Sequence, residues 1–383
     1  VPTGGSTEEE AAMDLKLTSL DYRTSLIQQL DRTFELHTGV QGNFNENESK
    51  GEETFVPSAD YSNIGLFAIG TWTASQNVTV EGGLRYDYHQ LDTSPPEERT
   101  AGDRIFGVPQ VIDRNFDHGS GSLGISYRPT TSWTIKANIG LGYRTPDIAE
   151  LTADGLLREI KRYEVGNNNL SPETNTETDL GVTYQSTGVD ISVNVFYNAF
   201  DNYIYQEQNE TVTLGNFPNY EVYPVFYYKQ DRATLYGGET VISFHPQSIS
   251  WIELESNFSL VIGENEALDA PLPLMPAPSL SNTITLRKSR IGSILAPRLS
   301  LDLTRFFKQN RTASFENPSK GYWLTDLSIS GDISLGNQEL QLSMAINNLF
   351  DIEYTNHLSL LKNEGIANRG RNISLMARIP FKF

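Results

Sequence analysis

Apolar and polar residues alternate along most of this chain with a period of two. Near its end, Ile373, Leu375, Ala377, Ile379, Phe381 and Phe383 alternate with Ser374, Met376, Arg378, Pro380 and Lys382. In residues 133–144 the split is cleaner: Trp133, Ile135, Ala137, Ile139, Leu141 and Tyr143 share one face, and Thr134, Lys136, Asn138, Gly140, Gly142 and Arg144 share the other. Residues 189–197 and 340–347 divide the same way. Side chains of a strand point alternately to its two sides, so each segment predicts a strand with one greasy face. About fifteen such strands are predicted, at 15–28, 34–43, 64–73, 78–91, 118–128, 133–144, 176–185, 189–203, 226–244, 252–262, 279–287, 297–307, 322–333, 339–350 and 371–383. Most are close to the ~9–11 residues that a tilted strand needs to cross a bilayer. No helical period appears.

A soluble sandwich also alternates, so the connections have to separate the two architectures. From the second strand onward they are short and long in turn. The short ones are 74–77, 129–132, 186–188, 246–250, 288–293 and 334–337; the long ones are 46–63, 92–117, 145–175, 204–225, 263–278, 308–321 and 351–370. Outer-membrane barrels have short periplasmic turns and long extracellular loops, whereas a sandwich has no reason to keep every second loop long. Lys136, Asp179, Asp190, Glu253, Asp302 and Asp326 all fall on the polar face. A Lys or Arg on the lipid side at mid-bilayer would cost ~2–4 kcal/mol, so the polar face is expected to line a wet lumen. Trp72, Trp133 and Trp251 lie near short turns and Trp323 follows a long loop, as interfacial aromatic girdles require, although the parity of Trp251 matches Glu253 and Glu255. The expected fold is an all-β transmembrane antiparallel barrel.

Composition adjusts this picture in three ways. With 383 residues, 38 % hydrophobic, the chain contains no run of 18 apolar residues and hence no helical span. A formal charge of −19 argues against a nucleic-acid partner. The opening residues 1–12 are polar and acidic and do not read as a secretion signal. Strand parity raises a further expectation. Bacterial single-chain barrels have an even strand number, and counting back from a periplasmic C-terminus places Val1 outside the cell. The chain is therefore expected to be the C-terminal portion of a larger barrel, with a misjudged strand as the competing explanation.

Several segments carry a resemblance. Gly83-Leu84-Arg85-Tyr86-Asp87 sits on an upward strand; Gly142-Tyr143-Arg144-Thr145-Pro146 runs into Ile148-Ala149-Glu150-Leu151. Then come Tyr163-Glu164-Val165-Gly166-Asn167, Asn169-Leu170-Ser171-Pro172-Glu173 and Asn347-Asn348-Leu349-Phe350-Asp351 with Tyr354, before the aromatic C-terminal strand. In order and spacing these resemble the TonB-dependent receptors of the bacterial outer membrane. Gly39-Val40-Gln41-Gly42 with Asn45, Glu46, Asn47 and Phe55-Val56-Pro57 looks like a Bacteroidetes branch described as ferric citrate-like. The resemblance implies a barrel of about 22 strands filled by an N-terminal plug, importing an iron chelate, haem, cobalamin or another scarce nutrient with energy supplied through TonB. The plug and roughly the first seven strands have no counterpart in these residues. The implied partners are outer-membrane lipid, the TonB complex acting through that plug, a ferric chelate, and the remaining portion of the barrel or a companion chain.

Candidate ligand residues lie toward the outer ends of the strands. The loop after Arg144 carries Arg158, Lys161, Arg162 and Tyr163, a basic cluster suited to an anionic chelate; the alternative is solvated charge or pairing with Glu150, Glu159 and Glu164. Arg144, a further ligand candidate, sits with Pro146 in the family motif, where the alternative role is shaping the barrel rim. His89 and His118 face the lumen by parity and His357 lies in the last long loop, which raises haem. Yet the stretch 145–169, where haem receptors of this family place a ligating His, has none. Tyr203 and Tyr205, with Tyr220, Tyr223, Tyr227 and Tyr228, would stack on a catecholate or serve as a girdle. His37 reads as a plug contact. The acidic run 46–53 lacks the spacing of a calcium loop. No cofactor is called for, and nucleophile elbows, zinc-binding His pairs and phosphate loops are absent. The alternatives to chelate import are a structural barrel subunit of an outer-membrane complex, a haem or other nutrient receptor, and a passive porin.

Overall fold

A computed structural model describes residues 14–50, 55–94, 104–216, 218–335 and 338–380. Its strands are β1 (Asp14–Gln29), β2 (Phe34–Lys50), β3 (Ser58–Ser75), β4 (Val78–Ser94), β5 (Asp113–Thr130), β6 (Trp133–Arg144), β7 (Asp154–Leu157), β8 (Arg162–Val165), β9 (Glu173–Gln185), β10 (Val189–Asn216), β11 (Asn219–Phe244), β12 (Ile252–Asn265), β13 (Ala270–Pro271), β14 (Ser279–Arg287), β15 (Arg290–Ile291), β16 (Ile294–Phe306), β17 (Tyr322–Leu335), β18 (Gln338–Asn347) and β19 (Asn372–Arg378). The one α-helix among the described residues, α1, is Ile148–Thr152. Each of the fifteen predicted strands corresponds to one long strand; the other four are short pieces inside connections.

The chain forms two compact units. The first comprises 1–124, 139–177 and 199–233, the second 125–138, 178–198 and 234–383. In the first, β1 pairs with β2, β2 with β3 and β3 with β4, all antiparallel. Register puts like with like: Thr24, Val40, Leu66 and Tyr86 stand side by side across four strands, and Ile64 stands beside Tyr88. Leu66 and Tyr86 are exposed, and Leu84 is 75 % exposed. The residues between them, Arg85, Asp87 and His89, lie on the other face, where Asp87 and His89 are buried.

The second unit repeats the rule. Leu286, Leu299, Ile329, Met344 and Leu375 form one cross-strand row through β14, β16, β17, β18 and β19, and the neighbouring row is Thr285, Ser300, Ser328, Ala345 and Ser374. Leu375 is 78 % exposed, while Thr285 and Ser300 are buried with their hydroxyls 3.0 Å apart. Because side chains alternate with a period of two, a one-residue slip would carry an apolar row to the polar face, and so the pattern fixes the register. The turn before β2 is set by Asp31. Its carboxylate accepts from Thr33 N (2.6 Å), Thr33 Oγ1 (2.8 Å) and Phe34 N (2.9 Å), bonds that hold its pKa below the usual carboxylate value.

Four expectations need correction. The predicted loop 204–225 is strand: β10 and β11 run to Asn216 and from Asn219. The predicted end near Tyr203 coincides with Asn202, whose φ of 57° breaks the regular backbone without ending the strand. Beyond a bilayer a ladder needs only backbone pairing, so the apolar pattern can stop while the strand continues. The short 217–218 link also breaks the alternation of short and long connections. Third, the predicted loop 145–175 holds α1, β7 and β8, with β8 parallel to β11 through Val225–Tyr163, Phe226–Glu164 and Tyr227–Val165. Last, the final strand ends at Arg378; Ile379 and Pro380 lie beyond it, and Phe381 and Phe383 fall outside the described residues, as does the opening segment 1–12.

The exposed apolar rows make a specific demand on lipid. Ile139, 48 % exposed near the middle of β6, should lose about 2–4 kcal/mol on Ile139→Arg, whereas Asn138→Lys on the opposite face should change stability by less than about 1 kcal/mol. Urea unfolding from lipid vesicles measures both.

Candidate functional site

In the first unit, β2 to β6 surround a polar cleft lined by Gln41, Asn63, Ser120 and Thr145 together with Arg85, Asp87, His89, Leu141, Tyr143 and Arg144. Its floor is an ion pair two residues apart on β4. Arg85 Nε donates to Asp87 Oδ2 at 2.6 Å, and Nη2 donates to the other oxygen. A fork of this kind satisfies both partners at once, as the burial of Asp87 requires. Gly65, directly opposite Asp87 on β3, leaves the room: a Cβ there would strike the guanidinium and the carboxylate.

Above that pair, His89 is held between two phenols. Tyr61 Oη lies 2.5 Å from Nδ1 and Tyr143 Oη 2.8 Å from Nε2, while the His118 ring stacks on Tyr143 at 4.9 Å between centroids. His89 and His118 are thus brought together, through a tyrosine that sequence reasoning put elsewhere. Tyr143 shares the parity of Trp133 and Ile139 and was expected on the greasy face; it reaches the polar groups instead, at the last position before Arg144. Parity is enforced by lipid contact, and at a strand's end that constraint lapses.

Arg144 closes β6 as a hub. Its Nη1 and Nη2 donate to the two oxygens of Glu150 at 2.9 and 3.0 Å, and Nε donates to Glu173 at 2.7 Å. Glu150 also accepts from Asp147 N (2.8 Å) at the start of α1, and Glu173 accepts from Ile204 N (2.5 Å) on β10. One guanidinium therefore ties α1, β9 and β10 together. Beneath it Leu151, Leu170, Ile204, Leu91, Ile112 and Ala59 pack into a buried cluster. Gly166 allows the chain to pass α1 closely, since a Cβ would meet the backbone of Leu151 to Ala153, and Gly166 N donates to Ala153 O at 2.7 Å.

The remaining candidates separate. Arg158 and Lys161 stand exposed at the β7–β8 turn near Tyr223, whose hydroxyl donates to Glu221 and is held above the usual phenol range mainly by that bond. Arg162 pairs with Glu164 and lies over the Phe226 ring at 5.1 Å. Tyr163 is completely buried, donating to Asp154 Oδ1 at 2.5 Å and accepting from Ile105 N at 3.1 Å. Tyr203 packs on Phe200, and Tyr205, also buried, donates to Asp231 at 2.5 Å. Arg144, Arg162, Tyr163 and Tyr205 thus build the loop assembly, while His89 lines the cleft. Arg85 and Asp87 stood in the Gly83–Asp87 motif without being expected as site residues; Glu150 was expected as a carboxylate partner of the basic loop residues, whereas Tyr61 and Glu173 were not singled out. In the second unit, His357 is buried, with Nδ1 3.0 Å from Ser319 Oγ and 3.3 Å from Lys362 Nζ, and Nε2 4.0 Å from Glu316 Oε1. Lys362 also donates to Asn317 O at 2.9 Å, so these residues fasten two loops together.

Residues 5–349 match the family model described as TonB dependent receptor-like, beta-barrel. The chain belongs to that family. TonB-dependent receptors of this family reside in the outer membrane and are receptors and transporters rather than enzymes. An iron-regulated outer membrane virulence protein of Vibrio cholerae serotype O1 is 28% identical over 149 residues, covering 38% of this chain and 22% of that protein. The ferric enterobactin receptor of Pseudomonas aeruginosa is 31% identical over 97 residues, covering 23% of this chain and 13% of the receptor. Among solved structures, the copper transporter OprC superposes with a TM-score of 0.73 at 20% identity, covering 94% of this chain and 56% of that one, which establishes the shared fold. The chain thus spans about half of that structure and a smaller share of the two curated relatives.

Two measurements test the site. Arg144→Gln leaves two largely buried carboxylates unpaired and should destabilise the loop assembly by about 3 kcal/mol; hydrogen exchange of residues 145–173 should accelerate while β12 to β18 are unaffected. For His357, burial and the ammonium of Lys362 hold the pKa below its ordinary value, with Glu316 opposing them. Above pH 6.5 folded and unfolded forms are both neutral and no penalty exists. As pH falls from about 6.5 toward the lower folded value, the unfolded form gains a proton first and loop stability declines. Exchange in residues 307–321 and 348–371 should therefore quicken between pH 7.5 and pH 5, and His357→Gln should remove the dependence.

Proposed function

We propose that this chain is the C-terminal strand portion of an outer-membrane receptor that captures a ferric chelate, citrate- or siderophore-like, and imports it with energy delivered through TonB. In this reading the C-terminus is periplasmic, and a plug and further strands complete a barrel of about 22 strands. The observation that carries it is the polar cleft of His89, Tyr143 and Arg85 placed beside a loop assembly anchored by Arg144. Such an arrangement offers a prefolded capture surface opening onto water-accessible polar groups, which a high-affinity importer needs and a passive pore does not. The iron-related names of two relatives support the choice of metal. His89 and His118 are assigned to the cleft wall facing the ligand, and Arg158, Lys161, Tyr203 and the other tyrosines to the loop assembly around it.

Deleting the gene should abolish growth on at least one defined ferric chelate as sole iron source, and uptake of that radiolabelled chelate should stop when TonB is removed. Unchanged growth on ferric citrate, hydroxamate and catecholate siderophores and haem, with no binding to the whole receptor, would overturn the import reading in favour of a structural subunit.

A further inference from the structure

The lipid-facing side of the second unit is not apolar throughout. Register places Phe258, Leu280, Arg305 and Trp323 in one row across β12, β14, β16 and β17, on the same face as Leu286, Leu299 and Ile329. From Trp323 to Ile333, β17 has the ~9–11 residues that a tilted strand spends in hydrocarbon, so Arg305 stands at one rim of the apolar band. It is the rim beside the long connection 308–321. A cation on this face calls for a counter-charge, yet among the described residues no carboxylate pairs with Arg305. Its guanidinium lies instead over the rings of Trp323 at 5.5 Å and Phe307 at 5.9 Å. Gly321 leaves room for it, since a Cβ there would stand 3.0 Å from Arg305 Nη2. Lys308, just beyond β16, and Lys320, just before β17, are exposed and add charge of the same sign, again with no carboxylate partner among the described residues.

One row deeper, about 5 Å nearer the middle of the band, the same face carries Ser256, Asn282, Leu303 and Thr325. The side chains of Ser256 and Asn282 make no hydrogen bond to a described residue. Hydrocarbon would leave such groups unsatisfied, at a cost. Below them the rows Leu254, Ile284, Leu301, Leu327 and Ile252, Leu286, Leu299, Ile329 are wholly aliphatic. Going inward, the face therefore presents a cation, then neutral donors, then hydrocarbon. An acylated lipid with a phosphate headgroup has the complementary order: phosphate outermost, the carbonyls of its acyl linkages next, chains below. Resting on the reading of an outer-membrane barrel with its long connections outside the cell, we propose that this face binds a phosphate-bearing lipid of the outer leaflet, with Arg305 on the phosphate and Asn282 and Ser256 on the acyl carbonyls. A second copy of the chain, packed through the same rows, would bring no carboxylate to Arg305 and would set like charges together.

The test places the whole receptor in phosphatidylcholine vesicles doped with bisphosphorylated lipid A or with its dephosphorylated form, and measures the doped lipid held by the receptor. The phosphorylated form should be held and the dephosphorylated form released. Arg305→Gln should weaken binding on the order of tenfold, and Asn282→Leu by a smaller factor. Lys136→Gln, the same loss of charge on the polar face of β6, should leave it unchanged. If Arg305→Gln fails to fold, the preference of the native receptor between the two lipids still decides. Equal retention of both lipids, an unchanged affinity in Arg305→Gln, or displacement of the lipid by inorganic phosphate would overturn the proposal. So would cross-linking of two receptors through Asn282→Cys, which would make this face a contact between copies. Both vesicle leaflets carry the probe, so these outcomes do not depend on orientation. Failure of a membrane-impermeant thiol reagent to label Ser314→Cys on intact cells would instead remove the outward placement of the long connections, and with it the outer leaflet as the source of the lipid.

Discussion

Pairing of the backbone from strand to strand governs everything else in this molecule. In hydrocarbon no water is available to satisfy an exposed N–H or C=O, so the ladder must be continuous and its register exact to the residue. Once register is set, side chains have only two places to go. The row from Leu286 to Leu375 and its neighbour from Thr285 to Ser374 are the same constraint seen from its two sides. Glycines serve it locally: Gly65 exists so that an ion pair can lie flat across a neighbouring strand.

Where the strands leave that regime, a different interaction takes over. The loop assembly has no lipid to order it and is organised by a few carboxylates that each accept from two or three segments. Glu150 and Glu173 both meet Arg144; Glu150 also caps its own helix by accepting from Asp147 N, and Glu173 receives the N–H of Ile204 on β10. Buried aliphatic side chains then fill the space beneath. Part of the charge in this region is structural: Arg144 and Arg162 are held by carboxylates, while Arg158 and Lys161 stand exposed at the β7–β8 turn. The cluster of Arg158, Lys161 and Arg162 was read either as an anion attractor or as charge paired with neighbouring carboxylates, and for Arg162 the structure supplies the second, with Glu164 as its partner.

The sequence disclosed the strands because lipid imposes a periodic signature that survives without an alignment. The existence of all fifteen long strands, and the two faces of segments such as 340–347, followed from alternation, whereas the ends of several strands did not. Its failures cluster where that signature has no cause. The hairpin of β10 and β11 continues past Asn202 through residues chosen for no greasy face, and α1 with β7 and β8 is too short to show a period. Tyr143 sits one residue from a strand end and departs from parity to reach His89 and His118. The partners of Arg144 lie 6 and 29 positions away, a distance at which spacing says nothing; only the folded chain brings them to one point.

The loop assembly carries its own dry interior, including the wholly buried Tyr163, Val225 and Leu170. The entropy of ordering these segments is therefore spent during biogenesis and not at the moment of encounter. For a ligand of the proposed capture surface this would leave no folding step to wait for, so its arrival would be governed by diffusion and its affinity tuned through the lifetime of the complex.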